Sequence, residues 1–134
     1  MLMPKKTKFR KDHKRYHRGK ATRMNSVSFG EFGLKSLEGC WISSRQIEAA
    51  RKVITKYTRK DGKMWIRIFP DKPVTKKGGE MPMGKGKGAV DHYVAVIKPG
   101  TVMFEIAGLD EKLSKKVLLL AAYKLPVKCR FVIK

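Results

Sequence analysis

The sequence is short of acid. Eleven Asp and Glu stand against 32 Lys and Arg, a formal net charge of +21 on 134 residues. A folded chain so unbalanced repels itself, and a polyanion is the partner that relieves the repulsion. Cysteine is scarce too. Cys40 and Cys129 form no C-x-x-C pair and lie far apart in sequence, so both read as ordinary buried thiols rather than as a disulfide or zinc site. Long apolar runs are missing: the longest, from Val117 to Tyr123, is seven residues, against the roughly 20 a membrane-spanning helix needs. The opening MLMPKKTKFRK has no apolar stretch after its charges, so no cleaved secretory signal is expected. Neither predicted helix joins a strong amphipathic pattern to exposed bulky residues, which sets a membrane-surface role aside.

What the chain does have is apolar material, 42% of its residues. That suffices for one domain with a core burying about two-thirds of the unfolded surface, unlike a basic disordered tail. The charge is unevenly spread. Residues 1–23 hold ten Lys or Arg, two His and a single acid, Asp12, with no hydrophobic period. A basic extension over residues 1–24, ordered only against a partner, is expected to precede a single domain over residues 25–134.

Within that domain, VSFGEFGLKSLEGCWIS mixes aromatic and β-branched residues with Gly30, Gly33 and Gly39, which predicts two short strands joined by a bulge or turn. Ser43 and Gln46 have capping-box spacing. Ile47, Ala50, Ile54 and Tyr57 then recur as one helical stripe that Gly62 ends, with Arg45, Lys52, Lys56 and Arg59 nearly opposite. KMWIRIF alternates as a strand closed by Pro70. Residues of about 70–89 have no period and read as a long loop. Strands from His92 to Ile97 and through Val102, Phe104 and Ile106 flank Pro99-Gly100 as a hairpin. Asp110 starts a second helix with Leu113, Val117, Leu120 and Lys124 on one face, which Pro126 closes. Val127, Cys129, Phe131 and Ile133 alternate inward along a last strand. The sum is an α+β fold, two helices packed on one face of a mostly antiparallel sheet, with a basic N-terminal extension and a long Gly/Lys-rich loop.

The chemistry concentrates in that loop. KKGGEMPMGKGKG, residues 76–88, holds five of the twelve glycines and four lysines against one acid, Glu80. Glycine lets backbone approach a phosphate or base closely and lysine supplies charge, which suits a finger threaded into folded RNA. A solvated basic loop has the same composition. Gly79-x-x-x-x-Gly84-Lys85 matches the first seven positions of a P-loop, but Gly86 offers no hydroxyl to magnesium and a strand is expected where a helix N-terminus is needed. A P-loop nucleotide-binding enzyme is therefore the remote alternative. His13 and His17 lie four apart among six cations between Lys8 and Arg18, which disfavour a bound metal and favour phosphate contact. His92 beside Asp91 lacks a nucleophile or second acid. No catalytic residue, metal ligand, cofactor or small-molecule substrate is expected. Phe9 and Tyr16 can stack on unpaired bases, although Phe9 equally suits docking of the extension, and Arg10, Arg15 and Arg18 can fork onto phosphate. Trp41 and Trp65, among apolar neighbours, read as core. A general nucleic-acid-binding protein is the nearer alternative.

The motifs PKKTKFRK (4–11), FGEFG (29–33), SRQIEAAR (44–51), WIRIFPDKPVTKK (65–77), MGKGKG (83–88) and KLP (124–126), in that order, resemble the family of the sixteenth protein of the bacterial-type large ribosomal subunit. The resemblance covers nearly the whole chain. It implies a non-enzymatic protein that binds large-subunit rRNA, sits among neighbouring large-subunit proteins, faces the aminoacyl site and contacts tRNA there. It implies a ribosome in the bacterial cytoplasm, or an organellar one. Carried over by position, Lys5, Lys6, Lys8, Arg10, Lys11, Arg45, Arg51, Lys76, Lys77, Lys85 and Lys87 are the RNA contacts. Lys14, Arg15 and Arg18 of the extension, Lys52, Lys56 and Arg59 of the helix, and Met83, Gly84, Gly86 and Gly88 of the loop complete the expected interface. The chain departs from the family at Pro82, where relatives commonly carry an Arg that some hydroxylate, so that modification is impossible here. Gly78-Gly79 replaces a common Pro, and residues 13–25 match poorly.

Overall fold

Short alternating apolar runs, each cut by Gly or Pro, fold into two sheets and two helices. The computed structural model describes residues 1–14, 18–59 and 61–134. Along the chain these are β1 (Phe32–Ser36), β2 (Cys40–Ser43), α1 (Ser44–Thr58), β3 (Lys63–Ile66), β4 (Lys72–Lys76), β5 (Ala89–Ile97), β6 (Val102–Ala107), α2 (Glu111–Ala122) and β7 (Cys129–Ile133). One sheet runs β3-β6-β1-β7 and the other β2-β5-β4, with every pairing antiparallel. The fold is α+β as expected, but the single sheet is two.

The division has a physical cause. β5 is paired on both sides by β2 and β4, and β6 on both sides by β1 and β3, so the two cannot also pair with each other. The predicted hairpin at Pro99-Gly100 is therefore a corner: Gly100 N–H donates to Ser36 O at 2.8 Å and passes the chain from one sheet to the other. β1 and β2 are split between the sheets in the same way.

Helix α1 begins where the capping box places it. Ser43 Oγ accepts from the Gln46 N–H at 3.3 Å while Gln46 Oε1 accepts from the Ser43 N–H at 2.9 Å. Ile47, Ala50 and Ile54 are buried on its inner stripe. It ends at Thr58, ahead of Gly62, because Arg59 takes a φ of 27° and returns its N–H to Thr55 O at 3.1 Å. The inner face of α2 is rotated slightly from expectation. Ser114, Val117, Leu118 and Ala121 are buried, whereas Lys124 is exposed. The helices pack on each other and on the four-stranded sheet, α2 over β1 and β7 and α1 beside β3. Phe32, Leu34, Phe104 and Ile106 from that sheet and Ile47, Ile54, Val117 and Leu118 from the helices form one core. Ile133, expected inward, is 58% exposed at the end of edge strand β7.

The 70–89 loop is also shorter than expected, since Lys72–Lys76 is a strand. Pro73 argues against a strand in the middle of a sheet, but β4 is an edge with β5 as its neighbour, where a missing N–H can face solvent. The true loop, residues 77–88, is the tip of the β4–β5 hairpin, closed by the Lys76–Ala89 pair.

One acid organises the opposite face of the four-stranded sheet. Glu105 in β6 is fully buried. Its Oε1 accepts three consecutive backbone N–H groups, from Ser28 at 2.8 Å, Phe29 at 2.9 Å and Gly30 at 3.1 Å, and its Oε2 is paired with Arg67 Nη1. Gly30 fits only because it lacks a side chain: a Cβ there would stand 2.6 Å from Ile106 O. Burial pushes the Glu105 carboxyl up, but Arg67 and the three N–H groups pull harder and hold it below the ordinary carboxylate value.

A carboxyl lowered in the folded state stabilises above its unfolded pKa, about 4.3, and loses that contribution as pH falls through the folded value. Glu105→Ala should therefore cost about 3–5 kcal/mol in urea unfolding at neutral pH, because it strands a guanidinium and three N–H groups. Glu105→Gln, which keeps one acceptor oxygen, should cost less. It should also flatten the fall in stability below about pH 5.

Candidate nucleic-acid interface

The expected cations occupy three places. In the extension, Lys5, Lys6, Lys8 and Arg10 are exposed and Lys11 is partly covered. Arg15, with Tyr16 and His17, lies outside the described residues. Lys14 and Arg18 are exposed but have partners of their own. Phe9 is 68% exposed, so it does not dock the extension, and the Lys8 ammonium lies 5.6 Å from its ring centre.

On α1, Arg45, Lys52, Lys56 and Arg59 are all exposed, opposite the buried stripe. Arg51 is tied to Glu48, its Nε donating at 2.9 Å. Arg59 caps its own helix, Nε donating to Lys56 O at 3.1 Å. Both keep spare donors, since a guanidinium carries five.

The loop is exposed from Gly78 to Lys87. Met83 is 92% exposed, and Gly84, Lys85 and Gly86 have φ of +108°, +57° and +100°. Three successive left-handed positions curl the tip, and glycine at two of them makes the turn accessible. Lys77 holds the curl from within, Nζ donating to Gly84 O at 2.6 Å. Gly88 packs against Lys76 and Lys77. After the loop comes strand β5 rather than a helix N-terminus, so the phosphate geometry of a P-loop is not formed.

Extension and loop are joined, a long-range contact that leaves no local sequence signal. Lys11 Nζ donates to Lys87 O at 3.1 Å, and Lys87 Nζ donates in return to Asp12 O. Lys72, buried in β4, donates to His13 O at 2.6 Å, and its ammonium lies 5.5 Å from the Trp41 ring. The extension is thus bound to its own domain, not only to a partner. None of these contacts involves the α1 cations, which form a separate face.

Three further residues escaped sequence reading. Arg23 and Lys98, both exposed, and Arg67 line a cleft of about 1020 Å³ between the extension, the segment after β3 and the three-stranded sheet, with Asp12 and Asp71 on its walls. The signal for Arg67 was its partner. Glu105, an acid between apolar residues of a strand, demands a buried cation.

Elsewhere the chemistry is quiet. His92 and Asp91 pair at 2.7 Å, both largely exposed. Among the described residues, no three of His, Cys, Asp and Glu converge as a metal-ligating set. Cys40 and Cys129 are free and half-buried, and burial pushes each thiol up to about 11.

Fold and surface together define an α+β protein that presents cations on an extension, a helix face and a curled loop. The sequence matches the family model described as ribosomal protein L16p/L10e over residues 4–132. It is 59% identical over its full length to a protein of Phaeodactylum tricornutum named large ribosomal subunit protein uL16c, covering 97% of that relative. Proteins of the same name from Thalassiosira pseudonana and Gracilaria tenuistipitata are 57% and 52% identical over the full chain, with 98% and 99% of each covered. The chain belongs to the L16p/L10e family of ribosomal proteins, and as such is structural and not an enzyme.

Lys87→Met removes the bond to Asp12 O and loosens the clasp. Hydrogen exchange and limited proteolysis over residues 5–13 should accelerate, while the global unfolding free energy should stay within about 0.5 kcal/mol of wild type. Protection of that segment equal to wild type would show the clasp to be incidental.

Proposed function

We propose that this chain, a structural constituent of the large ribosomal subunit, binds the subunit's rRNA through its extension, the outer face of α1 and the 77–88 loop, and helps to shape the site where aminoacyl-tRNA is held. The observation that carries this is the Lys11–Lys87 exchange, which makes the extension and the exposed loop one basic unit on a rigid body. An ammonium has three donors, so each lysine can keep its carbonyl and take a phosphate as well, while Gly84 and Gly86 let the tip come close to the sugar-phosphate chain. Pro82 contributes no charge where relatives commonly carry one, so the tip relies on Lys85 and Lys87. Contact with tRNA follows from the resemblance and is part of the same proposal. The uL16c names of the relatives favour an organellar, chloroplast-type ribosome over a bacterial cytoplasm.

If eight lysines and arginines contact phosphate, the affinity for rRNA should fall with salt with a log–log slope of about −6 to −7. A slope near zero would sink the proposal, and equal affinity for random duplex DNA in moderate salt would favour a general nucleic-acid binder. Changing Lys76, Lys77, Lys85 and Lys87 together to Ala should leave the fold intact while weakening incorporation into subunits or tRNA accommodation, read by sedimentation and tRNA-binding assays. Normal occupancy and normal tRNA binding would show the loop to be dispensable.

A further inference from the structure

Phe29 sits on a turn anchored by three bonds to one buried carboxylate, yet the residue is 60% exposed. Its own N–H and those of Ser28 and Gly30 all converge on Glu105 Oε1, so the backbone beneath the ring has little freedom to move. The ring is also supported from below. Trp65 and Arg67 are two apart on an extended segment, which β3 begins and the Arg67 N–H to Met103 O bond at 2.8 Å continues, so their side chains lie side by side on one face. Phe29 covers both. Its ring is stacked on Trp65 at 6.3 Å with an interplanar angle of 22°, and the Arg67 guanidinium carbon lies 4.8 Å from the ring centre. Phe29 is still 60% exposed, so ring surface beside these two contacts remains open to solvent.

We propose that this open ring surface is a stacking platform for one unpaired nucleobase of RNA. The proposal rests on the reading that the chain binds rRNA, and adds a site that neither the cation pattern nor the resemblance identifies. A flat ring held from beneath gives a base a preorganised surface to stack on. The Arg67 charge is matched by Glu105, so the platform itself offers a π-face rather than a phosphate site. Phosphates on either side of the base have their own partners: Lys134, whose Nζ donates to Ser28 O at 3.2 Å, and exposed Lys63, which shares the strand face of Trp65 and Arg67. Glu31 is exposed in the same turn. Apart from Trp65, the groups named around this ring are charged, and the two lysines suit an anionic chain better than an apolar protein surface. A continuous duplex is equally unsuited, because its base faces are already stacked.

The test compares the wild-type full-length chain with Phe29→Leu and Phe29→Trp in titrations with large-subunit rRNA across a salt series, with urea unfolding as a check on the fold. Phe29→Leu should weaken binding by about 5- to 100-fold at every salt concentration without changing the slope, and Phe29→Trp should restore it to within about twofold. Ultraviolet cross-linking of assembled subunits should join residue 29 to an unpaired nucleotide. Unchanged affinity in a folded Phe29→Leu variant, or a cross-link from residue 29 to a protein, overturns the platform. Loss of salt-dependent rRNA binding in the wild type overturns instead the broader reading on which the platform rests.

Discussion

The pairing of Glu105 with Arg67 and three backbone N–H groups is the constraint on which the rest of this structure depends. A carboxylate removed wholly from water is tolerable only when its lone pairs are met, and here one oxygen receives the turn before β1 while the other receives the guanidinium. The turn is thereby laid across the face of the sheet that the helices leave uncovered. From it the chain enters β1, the strand between β6 and β7, so this side chain, together with the Glu31 N–H to Ile106 O and Val102 N–H to Met24 O bonds, ties the four-stranded sheet to the end of the extension.

With so few acids, this protein satisfies its cations in an unusual way. Lys11, Lys72, Lys77, Lys87 and Lys134 all donate to backbone carbonyls. Such bonds orient an ammonium without cancelling its charge, unlike a bond to a carboxylate. The extension and the loop are thus shaped by the same groups that leave the surface strongly positive. On α1, by contrast, Arg51 is neutralised by Glu48, and the open field comes from Arg45, Lys52, Lys56 and Arg59.

How much of this could be read beforehand follows the range of the interactions. The α1 cap and stripe were legible because capping and helical periodicity act within four residues, and Ser43, Gln46, Ile47, Ala50 and Ile54 behave accordingly. Strand positions were mostly legible, yet which strands pair was not. Pro99-Gly100 has the chemistry of a hairpin turn, and competition among β1, β2, β3 and β4 for the edges of β5 and β6 decided otherwise. β4 was hidden because residues of about 70–89 show no hydrophobic period, and Pro73 is compatible with a strand only at an edge. In the candidate interface, the clustering of cations in the extension, along α1 and in the loop was plain from composition, but Arg23, Arg67 and Lys98 were missed. The clasp between Lys11 and Lys87, 76 residues apart, and the support of Phe29 by Trp65 and Arg67 are long-range and leave no local pattern.

The place of Pro73 has one more effect. A ribosomal protein must spend time as a free chain before RNA covers it, and during that interval an open sheet edge is a template on which another chain can add a strand. β4 is such an edge, and it carries an imide nitrogen with no hydrogen to donate, a bulge between Val74 and Thr75, and a lysine at its end. Each spoils the regular ladder that a second copy would need, and the mutual repulsion of two chains of +21 adds to the barrier. Pro73 is thus one of the residues that keep unassembled copies from growing into a shared sheet.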